Sequence, residues 1–241
     1  MFNHIRHLLF LFILSSFCLN GSASATTWHV AKDGSGDTES IEMAVFLASS
    51  GDTVLVSSGT YYETTIYMSS KSVFLISEEG PETTIIIHLG LPGLEEHRVI
   101  QIRDNISLCC VDGFTITGAS GGFDECGGAI SILRSNVIIR NNIITGNWCA
   151  NGAGICVMDE PSPTIENNLI YLNEAWVGGG IHMQNCSPII RNNTISNNYA
   201  DVIGGGIHIR LDSHPIIEHN IIVHNDSPQG GEWHLRLLIH V

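Results

Sequence analysis

Three histidines recur at one spacing, each with a polar partner two residues on. His182 is followed by Gln184, His208 by Arg210 and His234 by Arg236, and each pair stands 26 residues after the last. Histidine exchanges a proton near neutral pH, and arginine offers a planar fork of donors that fits carboxylates. Held together, His182, Gln184, His208, Arg210, His234 and Arg236 would bind a polyhydroxylated, acidic ligand such as a sugar polymer. The plainer alternative is a surface column generated by repetition, without a ligand. Three close imidazoles are also a possible metal set, but no metal is expected at this column.

The spacing belongs to a longer repetition. NVIIRNNIITGN from Asn136, PTIENNLIYLN from Pro163, PIIRNNTISNN from Pro188 and PIIEHNIIVHN from Pro215 align residue for residue, and their central asparagines Asn142, Asn168, Asn193 and Asn220 step by 26, 25 and 27. A second phrase recurs at Gly127, Gly152, Gly178 and Gly204, and decays to GGEWHLR at Gly230; its apolar residues Ile130, Ile155, Ile181, Ile207 and Trp233 step by 25, 26, 26 and 26. Within each unit apolar residues alternate over three to five positions between Gly, Asn and Pro, the pattern of short half-buried strands. A unit that small cannot form a core alone, so units must stack. Strand upon equivalent strand, about 4.8 Å apart, gives an all-β parallel β-helix of about 26 residues per coil.

Stacking assigns directions. With Ile130, Ile155, Ile181, Ile207 and Trp233 inside, the next residues Ser131, Cys156, His182, His208 and His234 point out, and so do Leu133, Met158, Gln184, Arg210 and Arg236. The histidine column is thus expected at solvent, where protonation between about pH 7 and 5.5 would strengthen its hold on an acidic glycan. The paired asparagines sit at bends, where Asn tolerates left-handed backbone, and their amides are expected to bond from coil to coil. Asp112, Arg140, Glu166, Arg191 and Glu218 stand one per coil with alternating sign, as an exposed ion-pair ladder.

Composition narrows the partners. Lys+Arg 10 against Asp+Glu 24 gives a net charge of −14, which argues against nucleic acid and anionic membranes. Residues 1–25 read as a secretory signal, with Arg6, an apolar run from Leu8 to Leu14 and Ala23-Ser24-Ala25 as the cleavage site. The run is too short to span a bilayer, so a chain cleaved near Ala25 is expected to be secreted, periplasmic or on the cell surface, with no membrane span. Export permits disulfides, and the glycine-rich loops of neighbouring coils suggest Cys126 paired with Cys149. Ile41, Ala44, Val45 and Ala48 mark an amphipathic helix over Ser40 to Ser49, placed to cover the first coil. The expected division is 1–25 signal, 26–52 N-terminal segment with capping helix, and 53–241 β-helix. GGEWHLRLLIHV lacks the polar cap of a solenoid, so an open apolar coil edge is expected there and the β-helix reads as incomplete at its C-terminus.

WHVAKDGSGDTESIEMAVFLASSGDTVLVSSGTYYETT, from Trp28 to Thr65, resembles the opening of the pectin-lyase-like superfamily as written in pectin methylesterases. With the IIRNNTISNN and GGGIHI phrases, the chain most resembles bacterial secreted right-handed β-helix repeat proteins. The resemblance implies a right-handed coil whose strand after the glycine-rich loop lines a polysaccharide groove. It also implies where catalytic groups would stand. Lyases of this kind use calcium-binding carboxylates with a nearby Arg or Lys, yet the only lysines here, Lys32 and Lys71, lie outside the regular coils. The motifs of the methylesterases and of polygalacturonase-like hydrolases are missing, and the adjacent pairs Asp124/Glu125 and Asp159/Glu160 read as solvated charges. The expected function is therefore a polysaccharide-binding or surface-interaction module without a recognisable catalytic constellation and without a cofactor. The alternative is a polysaccharide-processing enzyme acting by β-elimination, with calcium.

Overall fold

The computed structural model describes residues 24–90, 98–105, 107–121, 126–159 and 162–231, and the backbone of 233–236. Over these residues the chain winds as a right-handed parallel solenoid whose strands stack in sheets of eight, seven, seven and three. One coil shows the order: Ile130–Leu133 in the third sheet, Val137–Arg140 in the first, Ile143–Thr145 in the second, then Trp148–Asn151 in the fourth. The first strand, Thr27–Val30, already pairs with Thr53–Val56, so the first sheet begins ahead of the boundary expected at residue 53.

Strand length sets the core. A three-residue strand sends one side chain inward, and in the regular coils that residue is isoleucine: Ile165 and Ile190 in the first sheet, Ile144, Ile170 and Ile195 in the second, all fully buried. Ile139, Ile165, Ile190 and Ile217 stand in register on successive strands. Identical β-branched side chains stacked in this way pack against one another, and each fully buried one, Ile139, Ile165 and Ile190, supplies about 1.5–3 kcal/mol of burial, while Ile217 on the last of these strands is exposed.

The bends are fixed by asparagine. Asn141, Asn167 and Asn192 take left-handed φ of 56° while their neighbours Asn142, Asn168 and Asn193 turn inward and are almost fully buried. Asn168 and Asn193 each accept from the backbone and side chain of the asparagine on the coil before and donate toward the coil after, and Asn142 starts the series by accepting from Phe114 N–H, so the expected ladder is present. A second ladder, Asn147, Asn173, Asn198 and Asn225, runs along the next corner with the same pattern. Two of the contacts that the charge spacing suggested are made: Arg140 Nε donates to Asp112 at 2.7 Å and Arg191 reaches Glu166 at 2.7 Å. Exposed pairs of this kind contribute about 0–1 kcal/mol each.

The helix spans Ile41–Leu47, shorter than expected at its end because Ala48 is already extended. It buries Ile41, Ala44 and Val45 against the first coil. Both helix termini are held by charge. The buried Glu63 carboxylate accepts from Ser40 Oγ at 2.9 Å and Ile41 N–H at 2.8 Å, while Lys71 Nζ donates to the carbonyls of Val45, Phe46 and Ala48 at 2.7–3.1 Å. This matches the polarity of the helix dipole. Asp52 ties the N-terminal strand down by accepting from Thr26 and Ser49 N–H, both at 2.8 Å. Towards the far end of the described residues Ile216, Ile221 and Val223 are exposed.

Candidate functional site

The outer side of the third sheet carries the column that the repeat pointed to. Its strands Ile66–Ser69, Ile100–Arg103, Ile130–Leu133, Ile155–Met158, Ile181–Gln184 and Ile207–Arg210 lie in register, so Tyr67, Gln101, Ser131, Cys156, His182 and His208 form one line. His234 and Arg236 continue the register beside His208 and Arg210 through their backbone; their side chains lie outside the described residues.

The lower part of this line is not at solvent. His182 and His208 are only 2% and 5% exposed, against the expectation of a solvent-facing column. The cause is the fourth sheet, Trp148–Asn151, Glu174–Val177 and Tyr199–Ile203, which the alternation pattern did not reveal. From each of these strands a glycine turn folds back over the next strand of the third sheet. Gly178 and Gly204 take φ of +67° and +69°, and a Cβ on either would lie 2.9 Å from the Cβ of His182 or His208. Only glycine allows both that backbone and that approach. The outward direction was legible, but the roof over it was not.

Under this roof the two imidazoles meet. Their Nδ1 atoms are 3.0 Å apart, with ring centroids 5.0 Å apart and planes tilted by 32°. One ring must donate and the other accept, which two neutral imidazoles of opposite tautomer satisfy. Burial, then the neighbouring His208 and Arg210, push the His182 pKa down to about 3. His182 therefore stays neutral between pH 7 and 5.5, and the expected gain in glycan binding from its protonation does not arise.

Beside the pair opens a cleft of about 250 Å³ lined by Asn151, Val177, His182, Ile203, His208 and Arg210, among others. Arg210 is exposed at its mouth, while Gln184 is half-buried on the rung before. Higher on the same sheet lies a cleft of about 310 Å³ lined by Arg98, Gln101, Arg103, Cys126, Ser131 and Met158, among others. Sequence reasoning missed Arg98, Gln101 and Arg103. The signal was present in IQIR at Ile100, which has the form of IHIR at Ile207, but the chain leading into it lacks the glycine phrase used to set the register.

The disulfide differs from the expected one. Cys126 pairs with Cys156, Cα atoms 5.6 Å apart, and not with Cys149. Cys149 lies on a fourth-sheet strand and packs against Ala153 and Ala175, whereas Cys156 stands on the outward line, within disulfide reach of Cys126, whose backbone bridges to Asn151. Burial raises the remaining thiols Cys109 and Cys186 to about 11 and Cys110 to about 12, which makes them inert at neutral pH. Of the adjacent carboxylates, Asp159 reaches Arg134 at 3.7 Å, while Asp124, Glu125 and Glu160 lie outside the described residues. Among the described residues no cluster of three or more His, Cys, Asp or Glu is placed to hold a metal, and no helix is long and apolar enough to cross a membrane.

A family profile described as "Right handed beta helix region" matches residues 95–231. No curated protein matches the chain by sequence. Among solved structures, Escherichia coli ybhc is 14% identical with a TM-score of 0.47, the match covering 86% of this chain and 67% of that one. A pectin methylesterase in complex with hexasaccharide VII is 16% identical with a TM-score of 0.42, covering 81% and 67%. A pectin methylesterase from Aspergillus niger is 14% identical with a TM-score of 0.37, covering 86% of each chain. These are likenesses of fold.

Proposed function

The chain belongs to the right-handed β-helix family, and we propose that it is a secreted or cell-surface module that binds an acidic polysaccharide along the outer edge of its third sheet. The observation that carries this reading is the open column two residues beyond the buried line. Arg103, Leu133, Met158, Gln184 and Arg210 occupy successive rungs of that sheet, and the end members are exposed arginines. Four rung steps of about 4.8 Å separate them by about 19 Å, the reach of a short oligosaccharide. Each arginine stands at a cleft, so a polymer lying along the column would offer carboxylates at both ends and sugar faces to Leu133 and Met158 between. The two exposed arginines, of which Arg103 also has Asp104 at 3.7 Å, give this line positive charge within a chain of net charge −14.

The reading keeps Gln184 and Arg210 from the sequence-derived set, adds Arg103, and treats His182 and His208 as the floor beneath them. Its test is titration of the disulfide-intact protein with uronic-acid oligomers at low ionic strength. Arg103→Ala and Arg210→Ala should each weaken binding by about 1.5–3 kcal/mol, roughly 10- to 150-fold, with unchanged circular dichroism. Binding unaltered in both variants, or absent from the parent for every uronate tried, overturns it. Unsaturated sugar ends appearing in ultraviolet absorbance when calcium is added would assign the lyase activity instead.

A further inference from the structure

The geometry points to a site for a divalent transition-metal ion of the imidazole-preferring class, held by His182 and His208 beneath the glycan-binding edge. The two Nδ1 atoms already face each other at 3.0 Å. A tetrahedral ion at about 2.0–2.1 Å from each nitrogen needs them about 3.3 Å apart, so the rings have only a few tenths of an ångström to open. Their positions are preset. Gly178 and Gly204 fit so tightly over the histidine Cβ atoms that no side chain could intervene, and the in-register backbones fix the spacing. A ligand pair rigid before the ion arrives loses little entropy on binding.

Chemistry and access agree with this. Imidazole is the side chain that zinc, nickel and copper share as a ligand. The adjoining cleft of about 250 Å³ leaves room for water to fill the remaining positions. Ion binding breaks one Nδ1–H···Nδ1 hydrogen bond and forms two metal–nitrogen bonds. The proton that lay between the rings moves to Nε2 of the same imidazole by way of cleft water, so each ring stays neutral and none is lost overall. Two features bound the affinity. Arg210 lies near enough to His182 to oppose a cation, and Cys156 on the rung above is committed to the disulfide and gives no ligand. In the other direction, the final repeat has lost its third glycine and its isoleucine yet still carries a histidine, His234, in register with His208.

The experiment titrates zinc chloride into the metal-stripped full chain with its disulfide intact, followed by calorimetry and by long-range proton–nitrogen spectra of the histidine rings. The expected result is one saturable ion per chain at least tenfold tighter than in a His182→Asn/His208→Asn variant, with two Nδ1 resonances shifting on saturation. If the double variant does not fold, the ring spectra of the parent decide alone. Nδ1 resonances unmoved in saturating zinc, or a folded double variant binding zinc as tightly as the parent, overturns the assignment. Neither outcome touches the Arg103 and Arg210 test, so the two readings fail separately.

Discussion

Replacing Asn168 by alanine should cost about 2–6 kcal/mol, a figure that follows from counting which buried groups lose their only partner. Asn168 Oδ1 accepts from Asn142 N–H at 3.0 Å and from Asn142 Nδ2 at 3.1 Å, while its Nδ2 donates to the Ile139 carbonyl at 2.9 Å and to Asn193 Oδ1 at 3.0 Å. Four bonds go, but the losses are unequal. Asn193 Oδ1 keeps a bond from Asn168 N–H, and Asn142 Nδ2 keeps one to the Val111 carbonyl. Two buried donors are orphaned, Asn142 N–H and one hydrogen of its amide, at about 1–3 kcal/mol each. Asn220 supplies the control, since its loss leaves Asn193 N–H without its partner while Asn193 Nδ2 keeps the Ile165 and Arg191 carbonyls, and Asn220 itself is only partly buried, so water can reach the gap. That variant should lose less than half as much. Asn168→Asp sets carboxylate oxygen against two acceptors and should have a raised pKa when folded. The stability of such a group is present below the unfolded value of about 3.9 and lost as pH rises through the folded one, so its deficit is greatest at neutral pH. Urea unfolding by circular dichroism, with hydrogen exchange at the Asn142 amide as the local readout, measures all three. An Asn168→Ala variant within about 1 kcal/mol of the parent, or equal losses at Asn168 and Asn220, would refute the argument from desolvated donors.

Non-reducing peptide mapping should recover Cys126 joined to Cys156, with Cys109, Cys110, Cys149 and Cys186 unreactive to alkylation until the protein is unfolded. Gly204→Ala meets both a left-handed φ and a Cβ 2.8 Å from the Ile207 carbonyl, whereas Gly51, at φ +96°, has nothing within 4 Å. The first should therefore cost at least about 1 kcal/mol more than Gly51→Ala in thermal unfolding. The hydrogen bonds from Thr26 and Ser49 N–H hold the Asp52 pKa below its usual 3.8. Such a lowered carboxylate stabilises above its unfolded value and stops doing so as pH falls through the folded one. Amide protection of Thr27–Val30 should accordingly drop in acid sooner than that of Ile165, and Asp52→Asn should flatten this dependence.

The coil was legible in the sequence because a solenoid repeats every constraint. An isoleucine facing inward on one rung must do so on the next, and an asparagine at one bend must meet an asparagine at the next, so periodicity alone yields both register and direction. What periodicity does not carry is length between repeats. The fourth strand lies in the stretch from Trp148 to Asn151, WCAN, and its equivalents EAWV and YADVI share a small residue at the second position and little else. Cys149, Ala175 and Ala200 are all buried there, a pattern too short and too weakly apolar to read as a strand by alternation. Without that strand, alternation places the two histidines at the surface rather than in a roofed pocket and pairs Cys126 with the wrong cysteine, because the glycine turn then reads as free loop. The second asparagine ladder could have been found, since Asn147, Asn173, Asn198 and Asn225 close the same aligned segments that revealed the first. The glycines carried the remaining clue. Three in a row before an outward histidine is more than a turn requires, and the excess marks a backbone that must pass close over a neighbour, which is where a buried site forms.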